Sequence, residues 1–244
     1  MTNATRAKMI RLLAFGMLVF STAAWAQKAP IAEQIAKAYG LDSFGQIEAI
    51  RYTFNLEVPS LKLKLSRTWT WEPKADRVTF EGKDKSGKPV KVTYVRSQIS
   101  SQPDNVKNET DPGFVNDQYW LVFPFHTVWD TGASVEDKGM QKLPIGKGSA
   151  KQVIVKYPSN VGYTPGDTWE LFVGGDNRVQ QMVFHHGGSA KPNTVVVTWA
   201  GYKKAGPLVI STDHHGSFDG KPMTLTFSDV AVKVTGSDTW IKAQ

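Results

Sequence analysis

Cysteine is absent from the 244 residues. That excludes disulfides, thiolate nucleophiles and a lipid-modified N-terminal cysteine, so the fold has to rest on its core. Also missing are a GxSxG elbow, an HExxH helix and a glycine-rich phosphate loop after a strand. Their absence removes the commonest signatures of serine hydrolases, zinc proteases and nucleotide binders. No basic run is interleaved with aromatics, so nucleic acid is not an expected partner. The one markedly apolar run near the start, Leu12 to Phe20, is too short for a comfortable membrane span.

That run belongs to an export signal. Arg6, Lys8 and Arg11 form its basic head, and Ala24-Trp25-Ala26 places small residues at −3 and −1 of a cleavage site. Cleavage after Ala26 leaves residues 27–244 as a single periplasmic domain. Three bases and no acids depart with the leader, so the formal charge of +7 falls to +4. A mildly basic protein suits an anionic ligand or a membrane surface.

Beyond the leader the pattern is that of strands. Pro30 to Tyr39 reads as one helix, with Pro30 at its first turn and Gly40 as its C-cap. In Glu48 to Val58 the residues Ile50, Tyr52, Phe54, Leu56 and Val58 alternate with polar neighbours, a strand with one buried face. Leu61 to Trp71 repeats this, with Leu61, Leu63, Leu65, Trp69 and Trp71 on one face. Arg67 breaks the order by falling among them. Asp76 to Gly82 and Val90 to Arg96 follow, then a polar excursion from Ser97 to Gly113. Later strands are Ser134 to Leu143, Lys151 to Tyr157, Thr168 to Val173, Arg178 to His186, Thr194 to Tyr202, Pro207 to His215 and Met223 to Val234. The reading is mainly β, about eleven short-linked strands in one curved antiparallel sheet that forms a half-open barrel.

Between the two runs of strands lies Tyr119 to Asp130, YWLVFPFHTVWD. Five aromatics (Tyr119, Trp120, Phe123, Phe125 and Trp129) need a concave surface to bury them. The stretch reads either as a helical lid on the open side of the sheet or as an ordinary packing helix.

Charged and titratable residues offer few catalytic options. His185-His186 and His214-His215 fall at the ends of two strands and could approach on one rim. Adjacent strand residues point to opposite faces, so each pair offers at most one ligand to a site, and solvated histidines are the simpler reading. Arg67 is the most informative charge. It could hold carbonyls of the aromatic segment, hold a ligand headgroup, or reach past the sheet edge. No cofactor, metal or catalytic residue is expected.

A signal peptide, one helix, a curved sheet and an apolar helical insertion together resemble the LolA/LolB-like superfamily of periplasmic lipoprotein carriers. The segments NDQYWLVFPFHTVWDTG (Asn116–Gly132) and NVGYTPGDTWELF (Asn160–Phe172) resemble an uncharacterised bacterial family with that fold. The resemblance implies an apolar concave face, covered by helices, that takes acyl chains. In the carriers a basic residue before the proline of the second hairpin secures the lid. Here Glu72 precedes Pro73, so that feature does not carry over, and the missing cysteine excludes the membrane-anchored receptor type.

The expected function is therefore a non-enzymatic periplasmic binding protein or carrier for a lipid or other hydrophobic ligand, with envelope proteins or a membrane surface as further partners. Its site would be Leu65, Arg67, Trp69 and Trp71 on the sheet, with Tyr119, Trp120, Phe123, Phe125 and Trp129 opposite. The alternative is an envelope-associated interaction module whose cavity is filled by its own side chains. A metal-dependent hydrolase built on the histidine rim ranks third.

Overall fold

The computed structural model describes residues 30–84, 86–159, 164–187 and 193–244. The leader and the start of the Asn160–Phe172 motif lie outside them. Helix α1 (Pro30–Ala38) is followed by β1 (Ile47–Val58), β2 (Leu63–Glu72), β3 (Arg77–Lys83) and β4 (Pro89–Val95). Helix α2 (Asp111–Trp129) leads to β5 (Ser134–Lys142), β6 (Ser149–Lys156), β7 (Thr168–Val173) and β8 (Val179–His185). The chain ends with β9 (Thr194–Thr198), β10 (Ala200–Ala205), β11 (Leu208–Phe218), β12 (Lys221–Val234) and β13 (Ile241–Lys242).

All thirteen strands join one sheet in the order β4-β3-β2-β1-β12-β11-β9-β8-β7-β6-β5, with β10 added on β11 and β13 on β12. Every described pairing is antiparallel. The sheet is open, as the alternating pattern implies. Its topology explains where α2 must lie. The first meander ends at one edge, β4, and the second begins at the other, β5. The connection has to cross the sheet, and 19 residues of helix span about 28 Å. The crossing runs over the concave face, where apolar side chains of both meanders wait.

The inner face is set by strand parity. Ile50, Tyr52, Phe54 and Leu56 of β1 stand opposite Trp71, Trp69, Arg67 and Leu65 of β2, so these eight share one face. Phe54 also pairs with Phe227 and Leu56 with Leu225 on β12. The opposite face of β1 and β2 is polar there, Thr53 and Thr68 bonding through their hydroxyls at 2.9 Å, whereas β6 to β8 carry a second, small apolar cluster of Ala150, Phe172 and Val183. One apolar core runs from α1 through the inner face to α2. Helix α1 closes against α2, where the Thr127 hydroxyl donates to the Ala32 carbonyl at 3.1 Å. No helix among the described residues is long and apolar enough to cross a membrane.

Four sequence expectations need correction. Leu61 is not on the inner face: Pro59–Leu61 is a helical turn, Lys62 takes φ 52, and Leu61 is exposed. The polar excursion is partly helical, with short turns at Arg96–Ser101 and Val106–Thr110 and α2 beginning at Asp111. Thr194 to Tyr202 is two strands. Trp199 interrupts it, turning inward, and Gly201 at φ 64 lets β10 continue along Leu208–Asp213 while β9 pairs with Gly216–Phe218. Finally, β11 continues to Phe218, so His214 sits inside a strand and is wholly buried.

The β9–β11 crossing is the tightest approach in the sheet. A Cβ on Gly216 would come within 1.8 Å of the Val196 carbonyl oxygen. Gly216→Val is expected to break this pairing and lower the melting temperature by at least about 5 °C, read by circular dichroism. An unchanged melting temperature would show that the two strands can separate freely.

Candidate functional site

Helix α2 is apolar nearly all round, so amphipathic burial does not orient it. Two carboxylates, one buried and one half-buried, do. Asp117, fully enclosed, receives Arg67 Nε at 2.8 Å, Arg67 Nη2 at 2.5 Å and the Trp69 indole N–H at 2.8 Å. The neighbouring Asn116 amide adds a fourth bond at 3.0 Å. Burial pushes the Asp117 carboxyl upward, and the Arg67 charge with these donors works against that rise. Arg67 therefore does lie on the inner face, over the Phe54 ring at 5.2 Å, and its partner is a helix carboxylate rather than helix carbonyls.

The second carboxylate is Asp130 at the other end of α2. It accepts from the Tyr119 hydroxyl at 2.8 Å and the Tyr157 hydroxyl at 2.7 Å, and it sits 3.0 Å from His126 Nδ1. Burial alone would raise the Asp130 carboxyl, but the bonds from His126, Tyr157 and Tyr119 outweigh it and hold it below its usual value. Burial and the same charge push both tyrosines up. A third acid, Asp111, anchors the start of the helix through Tyr94 at 2.9 Å and Arg96 at 3.0 Å.

Between the two anchors the helix breaks. Val122 has φ −127 and ψ 25, two residues before Pro124. Proline has no N–H to give and its ring crowds the carbonyl four residues back, so the break is a local consequence of sequence. It divides α2 into a first half anchored by Asp111 and Asp117 and a second half that carries His126, and the Tyr119–Asp130 and Gln118–His126 bonds, the latter 3.1 Å, tie the two across the break.

The expected site residues separate into three groups. Arg67, Trp69 and Trp71 gather around Asp117 and Phe114, with ring centroids of 5.5 and 6.0 Å from the tryptophans to Phe114. Trp120 and Phe123 pack on Trp169 at 5.0 and 4.1 Å, and Trp120 also faces Trp199 at 6.2 Å. Phe125 and Trp129 pack on Phe44 at 5.3 and 4.7 Å. Tyr119 stacks on His126 at 3.8 Å, and Leu65 lies beside Leu56. The stretch does cover the inner face, and Phe123 and Phe125 are completely buried there.

Two cavities flank the Arg67–Asp117 pair. The larger, ≈ 480 Å³, has Arg67, Trp69, Phe80, Val92 and Gly113 in its walls. The smaller, ≈ 160 Å³, is lined by Phe54, Leu56, Leu63, Asn116, Trp120 and Phe184, among others.

The histidines do not assemble. His185 Nε2 lies 2.8 Å from Glu170, His186 Nδ1 3.3 Å from Asp167 and His215 Nε2 2.8 Å from Asp213. His214 lies against Trp199 with ring centroids 4.1 Å apart. Among the described residues no group of three His, Asp or Glu side chains could hold a metal. Sequence reasoning missed Asp117, Asp130 and Tyr157. Only the folded sheet brings the first to Arg67, 50 residues away, and nothing local marked the other two.

No family model and no curated protein matches the chain. Among solved structures it is similar to an outer membrane lipoprotein-sorting protein domain from Vibrio parahaemolyticus: 11% identity over 85% of this chain and 95% of that one, TM-score 0.45. It is also similar to a DUF1329 family protein from Desulfovibrio piger, at 8% identity over 85% and 94%, TM-score 0.46. A LolA superfamily protein from Nitrosomonas europaea gives 11% identity over 83% and 93%, TM-score 0.45. Each is a likeness of fold alone.

Removing one partner of the enclosed pair leaves the other charge unmet. Arg67→Leu is expected to cost about 3–5 kcal/mol in urea unfolding, and Arg67→Leu with Asp117→Leu clearly less than the sum of the single changes. Additive losses would show that the pair is not coupled.

His214 gives a pH signature. Burial, opposed only in part by the Thr198 and Ser211 carbonyls, lowers its pKa from 6.5 to about 3. The unfolded chain therefore takes up this proton first as pH falls below 6.5. Stability is full above that value and declines toward pH 3, at up to about 1.4 kcal/mol per pH unit from this residue. His214→Phe should flatten the difference between urea midpoints at pH 7 and pH 5; an unchanged slope would contradict a neutral buried ring.

Proposed function

We propose that the protein is an exported, non-enzymatic binding protein or carrier for a lipid or other hydrophobic ligand, with α2 as a latched lid over the concave face. The observation that carries this reading is the pair of cavities on either side of a helix that is held by ionic anchors and broken at Val122. A helix meant only to fill a core gains nothing from enclosing an Arg67–Asp117 pair, because such pairs stabilise little compared with apolar packing. They do give one defined closed position, which is what a lid needs.

The volumes specify the motion. The smaller cavity is well below the roughly 300–1,000 Å³ of ligand pockets, so an acyl chain fits only if the Asp111–Leu121 half of the helix lifts. The larger cavity, with an apolar floor of Trp69, Phe80 and Val92 and polar residues such as Lys83 and Asp84 at its margin, suits the entrance. On this reading Leu65, Arg67, Trp69, Trp71 and Trp120 line the path, while Phe125 and Trp129 stay with Phe44 as the fixed end. Tyr119 and Phe123 bracket the break. The setting is the periplasm, and membrane surfaces or envelope proteins would deliver and receive the cargo.

One observation favours a second reading. Phe123 and Phe125 already fill the centre of the half-barrel, as a plug in an interaction module without a ligand would. Native mass spectrometry separates the two. Protein exported to the periplasm and purified without detergent should carry adducts whose extracted masses match acyl lipids. A clean apo mass, with no uptake of added phospholipid, would overturn the carrier and leave the plug.

A further inference from the structure

On the premise that the carrier reading holds, we infer that the inner face behind Trp120 is a subsite for the uncharged hydroxyl end of an otherwise apolar molecule. Three buried groups there have no hydrogen-bond partner among the described residues: the Tyr52 hydroxyl, the Trp199 indole N–H and His214 Nε2; a fourth, the Trp169 indole N–H, belongs to the ring that packs on Trp120 at 5.0 Å. Tyr52 and His214 are fully enclosed and Trp199 is 2% exposed. On the concave side His214 and Trp199 are in contact, and Tyr52 is linked to them through Phe227. Tyr52 on β1 and His214 on β11 flank Phe227 of β12, each ring centred 5.9 Å from it. The Trp199 ring lies 4.1 Å from His214 and is stacked at 6.2 Å on Trp120. Trp120 is also a wall of the ≈ 160 Å³ apolar cavity. Lifting Trp120 joins that cavity to the polar floor.

The chemistry of the floor selects the ligand. His214 Nδ1 lies 3.2 Å from the Thr198 carbonyl oxygen, which can only accept, so the proton sits on Nδ1 and Nε2 presents a lone pair. Burial keeps the ring neutral, with its pKa lowered to about 3. The Trp199 indole can only donate. One acceptor and one donor match a hydroxyl, which donates once and accepts once, and the Tyr52 hydroxyl can serve either way. A carboxylate or phosphate would meet the Nε2 lone pair, and Arg67, the cation of this face, is already engaged by Asp117. An ammonium group would find no carboxylate among these three. A core that never opened would be better served by phenylalanine at Tyr52 and His214, since buried polar groups without partners are destabilising.

The test uses the exported protein, stripped of lipid and titrated by tryptophan fluorescence with 1-dodecanol, dodecyl methyl ether and dodecanoate. The ether accepts but cannot donate, and dodecanoate is anionic. Wild type is expected to bind 1-dodecanol at least about tenfold more tightly than either. His214→Phe should bring 1-dodecanol to within about threefold of the ether without weakening the ether. Tyr52→Phe should reduce the preference while leaving the melting temperature equal or higher, and it serves if His214→Phe does not fold. Equal binding of the three probes, or a preference untouched by the variants that fold, overturns the subsite and leaves the carrier standing. Failure of all three probes to bind overturns both.

Discussion

The enclosed contact of Arg67 with Asp117 is the interaction on which the rest of the arrangement depends. It joins the one charge on the inner face of β2 to the one acid in the middle of the first half of α2, and Trp69 completes the shell around the carboxylate. Without it the rotation of the first half of the helix would rest on Asp111 at its start and Tyr119 at its end alone. With it, Gly113 and Asn116 are set beside the two cavities, and Trp120, one turn further, is aimed at Trp169 and Trp199. An ion pair of this kind fixes position more than it adds stability.

Topology supplies the second constraint. A sheet whose two meanders meet at β1 and β12 leaves its free edges at β4 and β5, and the chain between them must cross the opening. Proline at 124 then ensures that the crossing helix is not one rigid rod. The first half is anchored to β2 by Arg67 and Trp69 and to the end of β4 by Tyr94 and Arg96, the second to α1 by Thr127, and the Tyr119–Asp130 and Gln118–His126 bonds join the halves across the break. A two-part cover over a concave face is a consequence of connectivity and one residue's missing N–H. Its chemistry is decided by what lies beneath, where aromatic rings alternate with a few polar atoms lacking partners.

Much of the fold was legible because period-2 alternation is strong in β1 and β2, and the same alternation exposed Arg67 as an exception. That exception was the most useful signal in the chain. Asp117 was not legible, since an acid one turn into a helix usually faces water and only the folded sheet brings Arg67 to it. Pro112 and Gly113 look like a turn, which hid the first turns of α2. Val195 to Val197 is apolar on both faces and carries no parity, so nothing announced the interruption at Trp199. His214 and His215 look alike in sequence. Three more strand residues, Gly216 to Phe218, extend β11 past both, and strand alternation puts the first in the core and leaves the second on the surface. The Asp130 network depends on Tyr157, which comes 27 residues later, and no local pattern could have joined them.

The central claim is that the Asp111–Leu121 half of α2 opens while the sheet stays folded. Hydrogen–deuterium exchange of the protein, followed by peptide, tests it most directly. The account predicts that amides of 111–121 exchange through local opening, well before those of β1, β7 and β8, and that Asp117→Asn speeds these amides alone. Exchange of 111–121 only together with the core strands, in wild type and variant alike, would make α2 a fixed part of the core and contradict the lid.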